Sequence, residues 1–114
     1  MAKKIKANHL IAEFYDSTNL ENVNSIKNEM LIASRVAGCK ILDSYFHQFG
    51  ETNGVTGMIL LKESHISIHT WPEYNYAAID IFVCGSTFPD KAIEHLKDFF
   101  KPEKVAIKSL KRGV

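Results

Sequence analysis

The pattern of apolar residues along this 114-residue chain predicts an α+β fold: a two-layer sandwich of a largely antiparallel sheet with two helices on one face. Three observations predict it. Two stretches repeat apolar residues at helical spacing, the segments around them alternate with the period of a strand, and turn-forming residues separate the strands closely enough for hairpins. The order is strand, helix, three or four strands, helix, strand, which leaves both helices to cover the same face of the sheet.

Residues 9–15 are rich in strand formers and end at Asp16-Ser17-Thr18-Asn19, a cluster expected to start a helix. From Leu20, apolar residues recur at Val23, Ile26, Met30, Ala33 and Ala37, one stripe of an amphipathic helix. Gly38 stands where a left-handed helix end is needed. Residues 40–49 and 55–62 read as a hairpin around Gly50-Glu51-Thr52-Asn53-Gly54, where Asn-Gly favours positive φ. Ile66 and Ile68 alternate with His65, Ser67 and His69, so the next strand carries two histidines on one face. Pro72 lacks an amide donor and interrupts that strand after Trp71. Residues 77–84 form a further strand, with Ile79, Ile81 and Val83 on one face and Asp80, Phe82 and Cys84 on the other. Pro89 opens the second helix with Ser86 or Thr87 as its cap. Ala92, Ile93, Leu96, Phe99 and Phe100 make its buried stripe, and Lys101-Pro102 ends it before a last strand, 105–110.

Length and composition suit one domain with a modest core: 46% of residues are hydrophobic and 24% charged. A formal net charge of +1 gives no electrostatic basis for binding nucleic acid or an anionic membrane. Lys3, Lys4, Lys6 and then Lys108, Lys111, Arg112 gather near the two ends and are expected to be solvated tails. There is no long apolar span and no signal-peptide pattern, so a cytoplasmic location is expected. Cys39 and Cys84 are few and far apart, hence free thiols, and no paired-cysteine zinc spacing occurs.

The densest chemistry lies in Lys62-Glu63-Ser64-His65-Ile66-Ser67-Ile68-His69-Thr70-Trp71-Pro72-Glu73-Tyr74. Residue by residue, Ser64 also fits a polar turn, His65 and His69 a solvated strand face, and Cys84 a small buried strand end. Together with Ala77-Ala78-Ile79-Asp80-Ile81-Phe82-Val83-Cys84-Gly85, however, the stretch closely resembles the processing and active-site region of prokaryotic S-adenosylmethionine decarboxylases. The likeness continues, more weakly, through His9-Leu10-Ile11-Ala12-Glu13-Phe14-Tyr15 and Phe46-His47-Gln48-Phe49.

The resemblance implies a self-cleaving enzyme that makes its own pyruvoyl cofactor from a serine. The bond would be Glu63–Ser64, dividing the single domain into 1–63 and 64–114. The serine hydroxyl attacks the preceding carbonyl, and the amide becomes an ester. This step is uphill unless the backbone is strained toward it and a donor stabilises the oxyanion. Elimination then releases the upstream chain, and the dehydroalanine left behind becomes the pyruvoyl group with loss of ammonia. A base must take the Cα proton, and an imidazole, with an ordinary pKa of about 6.5, suits the task. By position His69 is that processing base, with His65 the weaker candidate. The family's supporting hydroxyl sits in a Val-Ser-Gly context; here the triplet is Val55-Thr56-Gly57, so Thr56 keeps the hydroxyl and adds a methyl group.

In turnover the resemblance implies a Schiff base between the cofactor and the substrate's α-amine, then loss of CO₂. Cys84 matches the proton donor; thiols, at an ordinary pKa of about 8.5, stay protonated at neutral pH. Phe49 matches the aromatic platform for adenine and Glu73 the carboxylate for the ribose hydroxyls, though Phe49 also fits a core and Glu73 a solvated turn. Glu13 is a further candidate site carboxylate. The expected substrate is S-adenosylmethionine, its product the aminopropyl donor of spermidine biosynthesis, and the expected assembly a homodimer through the second sheet face. One alternative keeps the chemistry but takes arginine or ornithine. Another, from a different class, is a non-catalytic metal-binding module using His65 and His69 with His47 and Cys84, whose spacing matches no zinc motif.

Overall fold

The computed structural model describes residues 6–113; Lys3 and Lys4 lie outside the described residues. The α+β sandwich is as expected. One sheet runs β1 (Ala7–Tyr15), β2 (Ile41–Gln48), β3 (Val55–Leu61), β4 (Ser64–Trp71), β5 (Tyr76–Cys84) and β6 (Lys104–Arg112), in spatial order β2-β3-β4-β5-β1-β6. Every described pairing is antiparallel. Helices α1 (Val23–Val36) and α2 (Pro89–Phe100) pack on one face. Between them and the sheet lie Phe14, Ile26, Met30, Ile59, Leu96 and Phe100, all at most 0% exposed. No described helix is long and apolar enough to cross a membrane.

Three local expectations need correction. The cluster Asp16–Asn19 does not start α1; Asn22 does, its side chain accepting the Ser25 amide at 2.9 Å. The cluster instead caps the far end of α2. Thr18 donates its amide and hydroxyl to the Phe100 carbonyl, and the Asn19 amide group donates to Phe99. Orphan carbonyls at a helix end compete for the same polar residues that a helix start would use. Neither Ser86 nor Thr87 caps α2. The N-cap is Phe88, whose ring has no acceptor for a side-chain capping bond; its amide donates to the Ala37 carbonyl at 2.8 Å. Finally, Lys108, Lys111 and Arg112 are no tail. They belong to edge strand β6, where cations discourage a further strand from adding.

Two glycine positions matter to the fold, and the first follows expectation. Gly38 has φ +81° just past α1. Gly57, opposite Phe46 in the β2–β3 ladder, leaves the space that the Phe46 ring fills, so a side chain there would collide with it.

Candidate active site

The turn between β3 and β4 contains only Lys62 and Glu63, so Ser64 begins β4 directly after it. Ser64 has φ +149°, in a region that residues with a side chain rarely adopt. Beside it, the Glu63 carbonyl accepts two hydrogen bonds from Cys84, at the end of β5: one from the amide and one from the thiol, each 3.2 Å. The register makes this possible. Ser64 pairs with Val83, so the next residue of β5 falls opposite the bond that precedes Ser64. Cys39 lies close by; burial, then the charge of Glu63, push its thiol up to about 11. Both cysteines are free, as expected.

His69 sits elsewhere on the same strand. Its Nδ1 lies 3.1 Å from the Thr56 hydroxyl, its direct cross-strand partner. Its ring leans on Trp71 at 6.1 Å, which stacks on Tyr76 at 5.3 Å, which stacks on Tyr15 at 5.5 Å. The Tyr76 hydroxyl donates to Glu13 at 2.6 Å; burial, then this bond, push its phenol well up. Glu13 is thus engaged with Tyr76. Regular pairing from Ser64 to His69 leaves β4 extended, so five steps separate their Cα atoms by roughly 17 Å. His65, directly after Ser64, packs its ring edgewise on Phe82 at 5.6 Å.

Phe49 and Glu73 lie at the His69 end. Phe49 follows β2, 46% exposed, with the His47 ring edge-on at 4.8 Å. Glu73 is in the short 3-10 turn Pro72–Tyr74 that joins β4 to β5 and is exposed. The fold therefore gathers the residues singled out from the sequence into two groups at opposite ends of the sheet: Glu63, Ser64 and Cys84 at one, Thr56, His69, Phe49 and Glu73 at the other. Sequence reading missed the Cys84 contact with the Glu63 carbonyl and the Trp71–Tyr76 stack. The second was available from the hairpin, since residues flanking a short turn face each other.

The outer sheet face, opposite the helices, bears apolar residues that the described residues do not cover. Tyr45 is 72% exposed, and Met58 and Leu60 share its face by register. Among the described residues, no three metal-ligating side chains converge as a metal site requires.

A family profile described as S-adenosylmethionine decarboxylase matches residues 8–113. The S-adenosylmethionine decarboxylase proenzyme of Thermotoga petrophila is 48% identical over 108 residues, covering 92% of this chain and 82% of that protein. The proenzyme of the same name from Acidithiobacillus ferrooxidans is 42% identical over 107 residues, covering 91% and 80%. The crystal structure of the adenosylmethionine decarboxylase from Aquifex aeolicus superposes with a TM-score of 0.89 at 30% identity, covering 98% of this chain and 94% of that one.

Proposed function

The chain belongs to the S-adenosylmethionine decarboxylase family, and from that premise we propose a pyruvoyl-dependent decarboxylase of S-adenosylmethionine that cuts itself at Glu63–Ser64. The observation that carries this reading is the Glu63 carbonyl, held by two Cys84 donors at 3.2 Å beside a serine at φ +149°. When the Ser64 hydroxyl adds to that carbonyl carbon, negative charge gathers on the oxygen the two donors already face. Breaking the C–N bond leaves an ester and a free amine on Ser64. Removal of the Cα proton, with departure of the Glu63 carboxylate from Cβ, frees residues 1–63. The dehydroalanine tautomerises, and water displaces ammonia to leave a pyruvoyl group at position 64. The residues fit that group: its precursor heads a strand with strained backbone, and its neighbour carries donors for the one charge the conversion develops.

His69 is the base proposed for the Cα proton, oriented by the Thr56 hydroxyl. Within one chain it is too far away to reach Ser64. A second copy resolves this. A twofold dimer that stacks the outer sheet faces about an axis running across the strands would set the His69 end of one chain over the Ser64 end of the other, twice over. Each site would then combine Glu63, Ser64 and Cys84 from one copy with Thr56, His69, Phe49 and Glu73 from the second. The exposed Tyr45, Met58 and Leu60 support burial of that face.

Once present, the pyruvoyl group supplies a ketone for the substrate's α-amine and a sink for the electrons left by CO₂. The Cys84 thiol, 3.2 Å from the Glu63 carbonyl, is the donor proposed to return a proton to the former α-carbon. Phe49 offers adenine a flat apolar face, and Glu73 offers the ribose hydroxyls a carboxylate. The product would serve as aminopropyl donor in spermidine synthesis. The names of the relatives favour S-adenosylmethionine over arginine or ornithine. The test is CO₂ release by the purified protein from the three substrates in parallel. Release from S-adenosylmethionine alone is expected; release only from arginine or ornithine would overturn the substrate.

A further inference from the structure

Glu63 is fastened at both ends. Its carbonyl is gripped by Cys84, and its carboxylate Oε1 accepts the backbone amide of Lys40 at 3.0 Å, across 23 residues of sequence. Lys40 also accepts, through its carbonyl, the amide of Lys62 at 2.9 Å. The segment behind it is firm. Cys39 is buried, and its amide is bonded to the Ser34 carbonyl at the end of α1 at 3.0 Å. The two-residue β3–β4 turn is thus braced from one side by the α1–β2 connection and from the other by β5.

That bracing has a consequence for Ser64. A side-chain-bearing residue keeps a φ of +149° only where its surroundings over-determine it. β4 and its register hold the chain after Ser64. Before it, the described anchors are the Cys84 donors, the Lys62 amide and the Glu63 carboxylate. Without the carboxylate bond, the turn can swing away from Lys40, let Ser64 relax toward negative φ and draw the Glu63 carbonyl off Cys84. We propose that the Glu63 side chain is a positioning residue for self-cleavage, clamping the scissile bond against Cys84 through the Lys40 amide. The proposal rests on cleavage at Glu63–Ser64 and adds a reason for glutamate there: it is the side chain that reaches Lys40.

The test follows conversion of newly made chain by intact mass during cell-free synthesis, for wild type, Glu63→Ala and Glu63→Gln. Glutamine keeps an oxygen that can accept the Lys40 amide and removes only the charge. Glu63→Ala is expected to cleave on the order of tenfold more slowly, the scale of one lost charge-assisted hydrogen bond. Glu63→Gln is expected to stay within about threefold of wild type, since a neutral acceptor keeps the larger part of the bond. Melting is compared in the uncleavable Ser64→Ala background, where adding Glu63→Ala should shift the midpoint by no more than about 4 °C. Wild-type speed in Glu63→Ala would overturn the clamp, as would Glu63→Gln as slow as Glu63→Ala. Slowing that accompanies collapse of the melting temperature would also overturn it, because the bond would then serve general stability. A wild-type chain that never cleaves would sink the cleavage reading and the clamp with it, and is distinct from the clamp's own failure, in which wild type and Glu63→Ala cleave alike.

Discussion

Cys84 meets Glu63 with two donors on one oxygen, amide and thiol each 3.2 Å from the carbonyl. Under the proposed function the contact would link two reactions that follow one another in time. Before the proposed cleavage, the donors face the oxygen on which charge would develop. After it, the same thiol would stand beside the residue proposed to carry the cofactor.

Replacing Cys84 with alanine should therefore separate the two reactions. The backbone amide remains, so self-cleavage should persist but slow by roughly tenfold for the lost weak donor. Turnover should fall by about 10²–10⁴, the usual effect of losing a positioned general acid. Protonation at the wrong carbon would also pass the substrate's amine to the cofactor and kill the enzyme. Intact mass and CO₂ release, measured on one sample, check both. Full turnover in Cys84→Ala would remove the thiol from the reaction.

His69→Ala should stall after ester formation, and hydroxylamine should then cut the chain at residue 64. Because the two groups of residues lie at opposite ends of one sheet, rescue should come from a second copy. If the proposed dimer forms, co-expression of His69→Ala with Ser64→Ala should give mixed dimers holding one complete site: Ser64 from the first chain, His69 from the second. Cleavage of the His69→Ala chain should reappear in that mixture. Its absence, with mixed dimers verified by mass, would mean that His69 does not act across two copies.

The fold was readable because its signals are local. Helical stripes, alternating strands and an Asn-Gly turn each lie within a dozen residues, and burial followed them. The chemistry was legible only as a resemblance: Glu63, Ser64, His69 and Cys84 stand at recognisable spacings. Two kinds of fact were not legible. One is competition among distant partners, as when Thr18 and Asn19 cap α2 instead of starting α1. The other is distance along a strand. Ser64 and His69 read as neighbours in sequence, yet an extended strand keeps them roughly 17 Å apart.

Gly57→Ala should destabilise the sheet, because its new methyl group would occupy the place of the Phe46 ring. The expected loss is about 1–3 kcal/mol, the range for overpacking a tight site. Denaturant unfolding in the Ser64→Ala background measures it without interference from cleavage. A change below about 0.5 kcal/mol would show that the ring moves aside freely.

Alkaline pH should expose the buried Cys39 thiol. Its folded pKa is raised from 9.0 to about 11, mainly by burial. The stabilising contribution of the protonated thiol is full below pH 9 and is lost as pH rises toward 11, since the unfolded chain gives up its proton first. Stability of the Ser64→Ala chain should fall across that window, and Cys39→Ala should flatten the fall by an amount on the order of 2 kcal/mol. An identical slope in both chains would mean that other groups control the alkaline limit.

Self-cleavage at one bond is the central claim, and the intact mass of the purified wild-type chain tests it most directly, with Ser64→Ala alongside. The expected result is two chains, 1–63 and 64–114, the second lighter than its serine-started equivalent by one ammonia and blocked at its N-terminus, while Ser64→Ala stays whole. A wild-type chain that remains uncut after long incubation, or a Ser64→Ala chain cut at the same bond, would contradict it.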